Sequence, residues 1–290
     1  MTPHAKGLLI TAIGGVALSF DVPLIKLGGG DAFSVLIVRC VGALVAGLSI
    51  WAIVRAVTGR PFTLLPLPDG IPVAIIYGFT VTFFVVAVQY TSAANVVFIV
   101  AFTPMLAALI GWLWLGETPT VATRITMAVM IAAVGIIVSD GLDAGNTFGD
   151  LCALMAAICI ALAITLSRRS GKHMGFAPIV GGIVPIIIAS IVLAWNQQPV
   201  MLDAPIFIII NGMVMLPVAY WCLATGPRYL SAPEVGMFYL LETVLAPIWV
   251  WIILAETPTP RVLVGGTILI GALAVHSLWQ LRAKRLAVAR

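Results

Sequence analysis

The chain has 290 residues, of which 62% are hydrophobic and only 9% are charged, and its formal net charge is +4. Soluble domains carry about 25% charged residues, so a chain of this composition is expected to have lipid as its solvent. The composition excludes a soluble enzyme, and the sequence lacks the basic, aromatic-interleaved patch typical of nucleic-acid-binding proteins. We therefore expect the lipid bilayer as a partner and no nucleic acid.

Ten apolar segments follow one another along the chain, separated by short connectors rich in Gly, Pro, Asn and Asp. About 20 apolar residues in a helix cross the hydrocarbon core of a bilayer once. The predicted fold is therefore an all-α integral membrane protein with ten transmembrane helices. In chain order the segments are 7–27, 32–54, 71–89, 93–115, 121–139, 148–167, 176–195, 204–224, 231–254 and 261–281.

Lysine and arginine residues are distributed unevenly between the two ends of these segments. With the N-terminus in the cytoplasm, 12 of the 15 basic residues lie on the cytoplasmic side, Lys26 and Arg261 lie outside, and Arg39 lies within segment 2. Cytoplasmic connectors of membrane proteins are enriched in Lys and Arg. We therefore predict a multi-pass protein of the bacterial inner membrane with both termini in the cytoplasm.

The sequence contains an internal repeat, because residues 90–120 recur 139 residues later as residues 229–259. The ungapped alignment has 12 identities in 31 positions, including the Glu-Thr-Pro-Thr ending of both copies. The repeat divides the chain into residues 1–141 and 146–290, each with five predicted crossings. Since five is odd, the second half must enter the membrane upside down relative to the first. Such inverted repeats usually hold a transport site near the bilayer midplane, between the halves, and work by alternating access.

Among the charged residues within the segments three stand out, because charges inside a crossing are costly and usually paired or functional. Asp21 and Arg39 lie about two turns from the outer ends of consecutive segments, and their equal depth predicts an ion pair. This pair either clamps the fold or meets the carboxylate and ammonium groups of a substrate. Glu242 lies near the middle of segment 9, aligned with Thr103 in the repeat. Its expected partner is a substrate ammonium group, a proton or a basic residue such as Arg39.

Polar and aromatic residues at helical spacing predict the lining of a substrate cavity beside Glu242. Simple packing also produces such stripes, but their clustering on the two repeated segments favours a site. The predicted lining residues are Tyr77, Thr80 and Phe84 in segment 3, Asn95, Phe98 and Phe102 in segment 4, Asn211 and Met215 in segment 8, and Phe238, Tyr239 and Glu242 in segment 9.

The sequence resembles the EamA-like branch of the drug/metabolite transporter superfamily over the whole chain. The resemblance rests on the five-plus-five arrangement, on Leu-Ile-Val-Arg ending at Arg39, on Tyr-x-Ser-Ala at the start of segments 4 and 9, and on Trp-Leu-Trp-Leu-Gly-Glu-Thr-Pro ending at Pro119. The second copy departs from this pattern at Ala255, where the first copy has glycine, and at Pro247, which is displaced by four positions from the one aligned with Pro104. Segment 1 also lacks the Trp-Gly pair common in the family. Family members export amino acids, other metabolites or drugs, and the chain looks most similar to bacterial aromatic amino-acid exporters.

We therefore predict a secondary transporter that exports small metabolites, with aromatic or bulky apolar amino acids as the first choice. Drugs or other metabolites are the alternative within this class, and a passive channel, a membrane-bound enzyme or an assembly factor are the alternatives outside it. No HExxH, Gly-x-Ser-x-Gly or P-loop motif occurs, and the four cysteines form no metal-type pair. We expect no catalytic residues, no metal and no cofactor. The expected partner is a small-molecule substrate; a monomer suffices for a pathway, and the sequence leaves the oligomeric state and proton coupling open.

Overall fold

The structure is a bundle of helices. The computed structural model describes the backbone of residues 3–58, 64–116, 118–143, 145–172, 174, 176–225, 229–230 and 232–288, and the side chains of all of these except 3, 58, 224, 232–237, 239 and 280–288. Every regular element in these residues is helical. The helices are Pro3–Ser19, Asp21–Gly28, Ala32–Thr58, Gly70–Tyr90, Ala93–Val100, Thr103–Leu115, Val121–Asp143, Thr147–Ser170, Ala177–Gly181, Ile183–Trp195, Pro205–Ile210, the π-helical turn Asn211–Met215, Leu216–Thr225, Ala232–Leu254 and Pro260–Val288.

These helices form ten crossings in the order of the predicted segments. Crossings 1, 4 and 7 each consist of two consecutive pieces, crossing 8 of three pieces, and the other six crossings of single helices. Within the described residues, nine crossings are long and apolar enough to span a membrane. Crossing 9 is the 23-residue helix Ala232–Leu254, of which Leu240–Leu254 forms an apolar stretch with described side chains. The predicted ten-helix membrane fold is confirmed.

The interruptions of the crossings coincide with prolines, because proline has no N–H for the carbonyl four residues earlier. The interruptions lie at Phe20 before Pro23, at residues 101–102 before Pro104, at Gly182 before Pro185 and at Asn211–Met215 before Pro217. In crossing 4 the Val100 carbonyl has no helical donor, because residue 104, four positions later, is a proline. It accepts a hydrogen bond from the Thr103 hydroxyl at 2.6 Å instead. Neighbouring side chains can thus satisfy backbone groups that a proline frees inside the membrane.

The contacts between crossings follow the inverted repeat. Crossing 3 packs on crossing 6 and crossing 8 on crossing 1, while crossing 4 packs on crossing 6 and crossing 9 on crossing 1. Crossing 2 packs on crossing 7, and crossing 5 on crossing 10. Exchanging each crossing for its equivalent in the other half converts the two contacts of each of the first two pairs into each other and leaves the contacts 2–7 and 5–10 unchanged. The two five-helix repeats therefore interlock about a pseudo-twofold axis instead of forming separate bodies, and the predicted inverted-repeat architecture is confirmed.

The bundle is packed differently at its two ends. We name them the Glu256 end, where crossings 1 and 9 finish, and the Arg168 end, where crossing 6 finishes. The largest buried cluster is concentrated toward the Glu256 end and includes Val88, Ile99 and Ile208. Toward the Arg168 end the buried apolar side chains form two smaller clusters. The looser packing at the Arg168 end leaves room for a cavity.

The inverted repeat predicts opposite accessibility for Thr118 and Thr257, which are equivalent in the repeat and both exposed. After alanine replaces the four native cysteines, Thr257→Cys should react with a membrane-impermeant maleimide added to intact cells. Thr118→Cys should react only after the cells are permeabilised, because basic residues favour the cytoplasm for its end of the bundle. Labelling of both positions from the same side would contradict the inverted arrangement, and labelling of Thr118→Cys alone would reverse the orientation.

Candidate functional site

A cavity of about 920 Å³ extends from the middle of the bundle to the Arg168 end. This volume lies within the range of about 300–1,000 Å³ typical of sites for small organic molecules. Both repeats contribute to its walls. Residues deep in the cavity include Asp21, Arg39, Thr80, Phe84, Thr103 and Glu242, and residues nearer the Arg168 end include Thr118, Thr123, Arg168 and His276.

A buried ion pair lies at the deep end of the cavity. Arg39 Nη2 donates to both carboxylate oxygens of Asp21, at 2.9 and 2.7 Å, and the two residues are only 3% and 4% exposed. Asn211 contacts both partners: its Oδ1 accepts a hydrogen bond from Arg39 Nε at 2.9 Å, and its Nδ2 donates to Asp21 Oδ1 at 2.8 Å. Arg39 Nη1 makes no hydrogen bond to a described residue, although the side chain lines the cavity. This nitrogen is therefore the donor left for a ligand.

The interruptions of the crossings position these three side chains. Asp21 is the first residue of the helix that follows the break at Phe20, and the partial positive charge of a helix N-terminus stabilises a carboxylate there. Asn211 is the first residue of the π-helical turn in crossing 8, a type of irregularity that recurs at functional sites. The charged centre is thus built where two crossings depart from regular α-helix.

Glu242 lines the same cavity from crossing 9, and the charges of Asp21 and Arg39 act on its carboxylate. It makes no hydrogen bond or ion pair with a described side chain. Arg39 was one predicted partner, but its contacts go to Asp21 and Asn211 instead. Thr103, the repeat equivalent of Glu242, lines the cavity from crossing 4, and its hydroxyl donates a hydrogen bond to the Val100 carbonyl. The repeat therefore brings equivalent positions to one cavity, with a carboxylate on only one side.

An aromatic and apolar wall accompanies these charges. Tyr77, Thr80 and Phe84 line the cavity from one face of crossing 3, as their spacing of three and four residues requires in a helix. The Thr80 hydroxyl donates to the Ile76 carbonyl at 3.1 Å, so this residue presents mainly its methyl group. The cavity thus combines charged groups at its deep end with surfaces suited to an apolar or aromatic group.

Polar contacts hold the Glu256 end together. Lys26 Nζ lies 2.7 Å from Glu256 Oε2, and Glu256 Oε1 accepts a hydrogen bond from the Ala93 backbone N–H at 2.8 Å. One carboxylate therefore joins the ends of crossings 1 and 9 to the beginning of crossing 4. The cavity reaches the opposite end, so it is open toward the Arg168 end and closed toward the Glu256 end.

The buried carboxylate of Asp150 also stabilises the Glu256 end. It accepts hydrogen bonds from the Thr91 hydroxyl at 2.6 Å and from Asn95 Nδ2 at 3.1 and 3.3 Å, and it is 2% exposed. Gly141 packs so closely that a Cβ there would lie 1.7 Å from Asp150 Oδ2. These contacts tie crossings 3, 4, 5 and 6 together outside the cavity.

The structure places five predicted lining residues away from the cavity. Asn95 bonds Asp150, and Phe98 and Phe102 lie in the largest buried cluster. Met215 and Phe238 pack against the smaller cluster formed by crossings 1 and 8. Tight helix packing explains Phe98, since a Cβ on Gly266 would lie 2.4 Å from its ring. Among the described lining residues none of these five occurs.

The other predicted residues have different outcomes. Tyr77, Thr80, Phe84 and Glu242 line the cavity. Asn211 does not line it but holds the ion pair from behind. The side chain of Tyr239 lies outside the described residues.

Sequence reasoning missed several lining residues, including Thr103, Tyr220, Thr243 and His276. The repeat alignment could have identified Thr103, because it is the partner of Glu242. Tyr220 lies on crossing 8, so its place in the cavity could not be deduced from its spacing relative to Glu242 on crossing 9. Within the described part of the chain, no group of three or more His, Cys, Asp or Glu side chains is arranged to hold a metal ion.

Known proteins resemble this chain in sequence and in fold. The sequence model of the EamA-like transporter family matches the chain twice, over residues 5–139 and 147–278. A Bacillus subtilis (strain 168) protein described as the uncharacterized transporter YdfC is 27% identical over 128 residues. That match spans 42% of each chain, so the chain covers less than half of this relative. A solved structure titled only as the crystal structure of a protein aligns over 97% of this chain and 99% of its own, with a TM-score of 0.62 and 16% identity, which shows a common fold.

The ion pair predicts non-additive effects of Asp21→Asn and Arg39→Gln. Each change leaves one buried group uncompensated and should lower the stability of the purified protein by about 3–5 kcal/mol. The double variant should lose clearly less than the sum of the two, because the charges meet. Thermal unfolding in detergent measures these effects.

The exposed pair Lys172–Asp69 serves as the control for this cycle, since its side chains are 43% and 46% exposed. Asp69→Asn should change stability by less than about 1 kcal/mol. Additive losses from Asp21→Asn and Arg39→Gln would mean that the two side chains do not depend on each other.

Proposed function

The chain belongs to the EamA-like transporter family and is therefore a membrane transporter of the drug/metabolite transporter superfamily, and from this premise we propose that it exports amino acids with aromatic or bulky apolar side chains. We place it in the bacterial inner membrane with both termini in the cytoplasm. Its family and its transporter relative indicate a transporter and not an enzyme.

One observation carries the choice of cargo: the cavity offers a free cationic donor and a free carboxylate beside an apolar wall. Among the described residues, Arg39 Nη1 has no acceptor and Glu242 has no ion pair. A zwitterion supplies a carboxylate for the first and an ammonium group for the second. Both groups of the cargo would then exchange their hydrogen bonds with water for charge-assisted hydrogen bonds with the protein. The cargo's side chain would lie against Tyr77 and Phe84.

The proposed orientation places the open end of the cavity on the side from which an exporter loads its cargo. The connectors at the Arg168 end carry most of the basic residues, and basic connectors favour the cytoplasm. The cavity would then be open to the cytoplasm and closed by the Lys26–Glu256 contact toward the outside. Cargo would enter from the cytoplasm, and alternating access between the inverted repeats would release it outside.

An organic-cation exporter is the second candidate, because a free carboxylate beside an aromatic wall also suits an amphiphilic amine. The two candidates differ in the use of Arg39, since a cation without a carboxylate gives Nη1 no acceptor. Three probes of similar shape separate them: phenylalanine, phenethylamine and 3-phenylpropionate. Counterflow into liposomes containing the purified protein should be saturable and fastest for phenylalanine. Non-saturable flux would indicate a channel, and preference for phenethylamine would indicate a cation exporter.

The first prediction from this proposal concerns Glu242→Gln, which keeps the shape of the side chain and removes its charge. Folding should be retained, because a charge near the membrane centre costs about 3 kcal/mol and the variant no longer has this cost. The preference for phenylalanine over 3-phenylpropionate should fall at least about tenfold, the scale of a lost interaction of 1.4 kcal/mol. Counterflow at several substrate concentrations measures this preference.

Glu256→Gln is the matched control, because it is the same substitution outside the cavity. It should alter the rates of all three probes alike and leave their ratios unchanged. If Glu242→Gln keeps the cargo preference but loses the response to an imposed pH gradient, Glu242 binds a coupling proton instead of the cargo. Unchanged preference and unchanged pH response would remove Glu242 from the transport mechanism.

A second prediction compares two phenylalanines of neighbouring crossings. Phe84→Leu removes an aromatic surface from the cavity and should reduce the preference for phenylalanine over leucine by about three- to tenfold, the range of aromatic pair energies. Phe98→Leu removes the same ring from the buried core, to which Phe84 also belongs. Both variants should therefore lower thermal stability, but only Phe84→Leu should change that preference. Equal changes in cargo preference from both variants would argue against an aromatic subsite on crossing 3.

A further inference from the structure

Asn211 is a fully buried polar residue behind the cavity wall, and it contacts both members of the ion pair. Its Nδ2 also lies 3.2 Å from the Asp21 backbone carbonyl. Both ends of the carboxamide are therefore engaged: the oxygen accepts from Arg39 and the nitrogen donates to Asp21. A carboxamide supplies an acceptor and a donor at its two ends without carrying a net charge.

These contacts fix the orientation of the Arg39 guanidinium. The group is planar, and its Nε and Nη2 are held by Asn211 and Asp21 respectively. Two occupied nitrogens define the plane of the group and leave Nη1 as the nitrogen available to the cavity. With only the Nη2 contact, the guanidinium could turn about that anchor.

The backbone of crossing 8 supports Asn211 in this position. The next residue, Gly212, lies so close to crossing 2 that a Cβ there would be 2.3 Å from the Arg39 carbonyl oxygen. The π-helical turn begins at Asn211. The carboxamide is therefore presented from a backbone that is pressed directly against the residue it orients.

Two carboxylates line the cavity together with this arginine. Asp21 holds it, while Glu242 lines the same cavity without an ion pair to a described residue. A guanidinium that turned toward Glu242 would neutralise the carboxylate and remove the attraction for a positively charged group. We propose that Asn211 is a positioning residue that holds Arg39 on Asp21 and thereby keeps the Glu242 carboxylate free for a cationic group of the cargo. The consequence for cargo rests on the proposed function, whereas the pairing of Arg39 does not.

The pairing is tested without cargo, by labelling Glu242 with a hydrophobic carbodiimide and locating the adduct by peptide mass mapping. The wild-type carboxyl group should be labelled. Asn211→Leu frees the guanidinium, so labelling should fall about tenfold, the scale of one new charge-assisted contact. Asn211→Asp keeps an acceptor for Arg39 Nε and should retain labelling. Asn95→Leu is the matched control: it removes a buried asparagine from the Asp150 cluster and should leave Glu242 labelling unchanged.

The consequence for cargo is tested by counterflow with phenylalanine and 3-phenylpropionate. Asn211→Leu should lower the preference for phenylalanine about tenfold, whereas Asn95→Leu should not. In the Glu242→Gln background, Asn211→Leu should change the preference no further, because the carboxylate that it protects is gone. A purely structural role would lower the rates for both probes and leave their ratio unchanged.

The outcomes separate this inference from the proposed function. Unchanged Glu242 labelling in folded Asn211→Leu overturns the inference, whatever the protein transports. Reduced labelling without amino-acid counterflow supports the positioning role and contradicts the proposed cargo. If Asn211→Leu does not fold, Asn211→Ala removes the amide without added bulk and takes its place. Misfolding of both, with Asn95→Leu folded, would make Asn211 a stability residue and overturn the positioning role.

Discussion

The buried ion pair is the interaction on which the site depends. Each charge alone would cost about 2.5–3.5 kcal/mol at the centre of a membrane helix, so Asp21 and Arg39 are tolerated because they meet and because Asn211 satisfies further donors and acceptors. Two of the proline-associated irregularities of the helices lie at these groups. Crossing 1 breaks immediately before Asp21, and crossing 8 adopts a π-helical turn starting at Asn211. The departures from regular helix thus lie where polar groups must be brought together.

The duplicated scaffold holds a site that is not duplicated. Contacts between crossings are preserved when the two halves are exchanged, which gives the bundle a pseudo-twofold frame. The equivalent positions Thr103 and Glu242 both reach the cavity, but only one carries a charge. Symmetry is useful for a structure that must open at either end. The zwitterionic cargo that we propose has two different polar groups and would need an asymmetric site, such as the one that the substitutions between the halves create.

Much of the fold could be predicted from the sequence because membrane helices depend on local properties. The length and apolarity of the segments, the repeat and its odd number of crossings were sufficient for the inverted ten-helix architecture. The pair was also accessible from sequence, since Asp21 and Arg39 lie at equal depth on consecutive antiparallel segments. In each case the prediction needed only the position along a crossing.

The side-chain lining was harder to predict because it depends on the rotation of each helix. The stripe Asn95, Phe98 and Phe102 assumes one continuous helix, but crossing 4 is interrupted at residues 101–102. Thr103, just beyond the break, reaches the cavity, while Phe98 and Phe102 lie in the core. Asn95 instead bonds Asp150 on another crossing. The uninterrupted helix of crossing 3 brings Tyr77, Thr80 and Phe84 to the cavity on one face. Crossing 9 is also a single helix, but its Phe238 packs against a buried cluster, so the rotation of a helix matters as much as its regularity.

The strengths of the two charged contacts along crossing 1 suit a protein that changes state. The Lys26–Glu256 contact at the end of this crossing is partly solvated, with side chains 19% and 30% exposed, and such pairs contribute about 0–1 kcal/mol. The deep pair is almost completely buried, and separating its partners would leave uncompensated charges at a cost of about 3–5 kcal/mol. Thermal motion can therefore separate Lys26 from Glu256 at little cost without disturbing the charged centre. In an exporter of the proposed kind this difference keeps the binding groups in place while the ends of the crossings move, so that the same groups face the cargo from either side of the membrane.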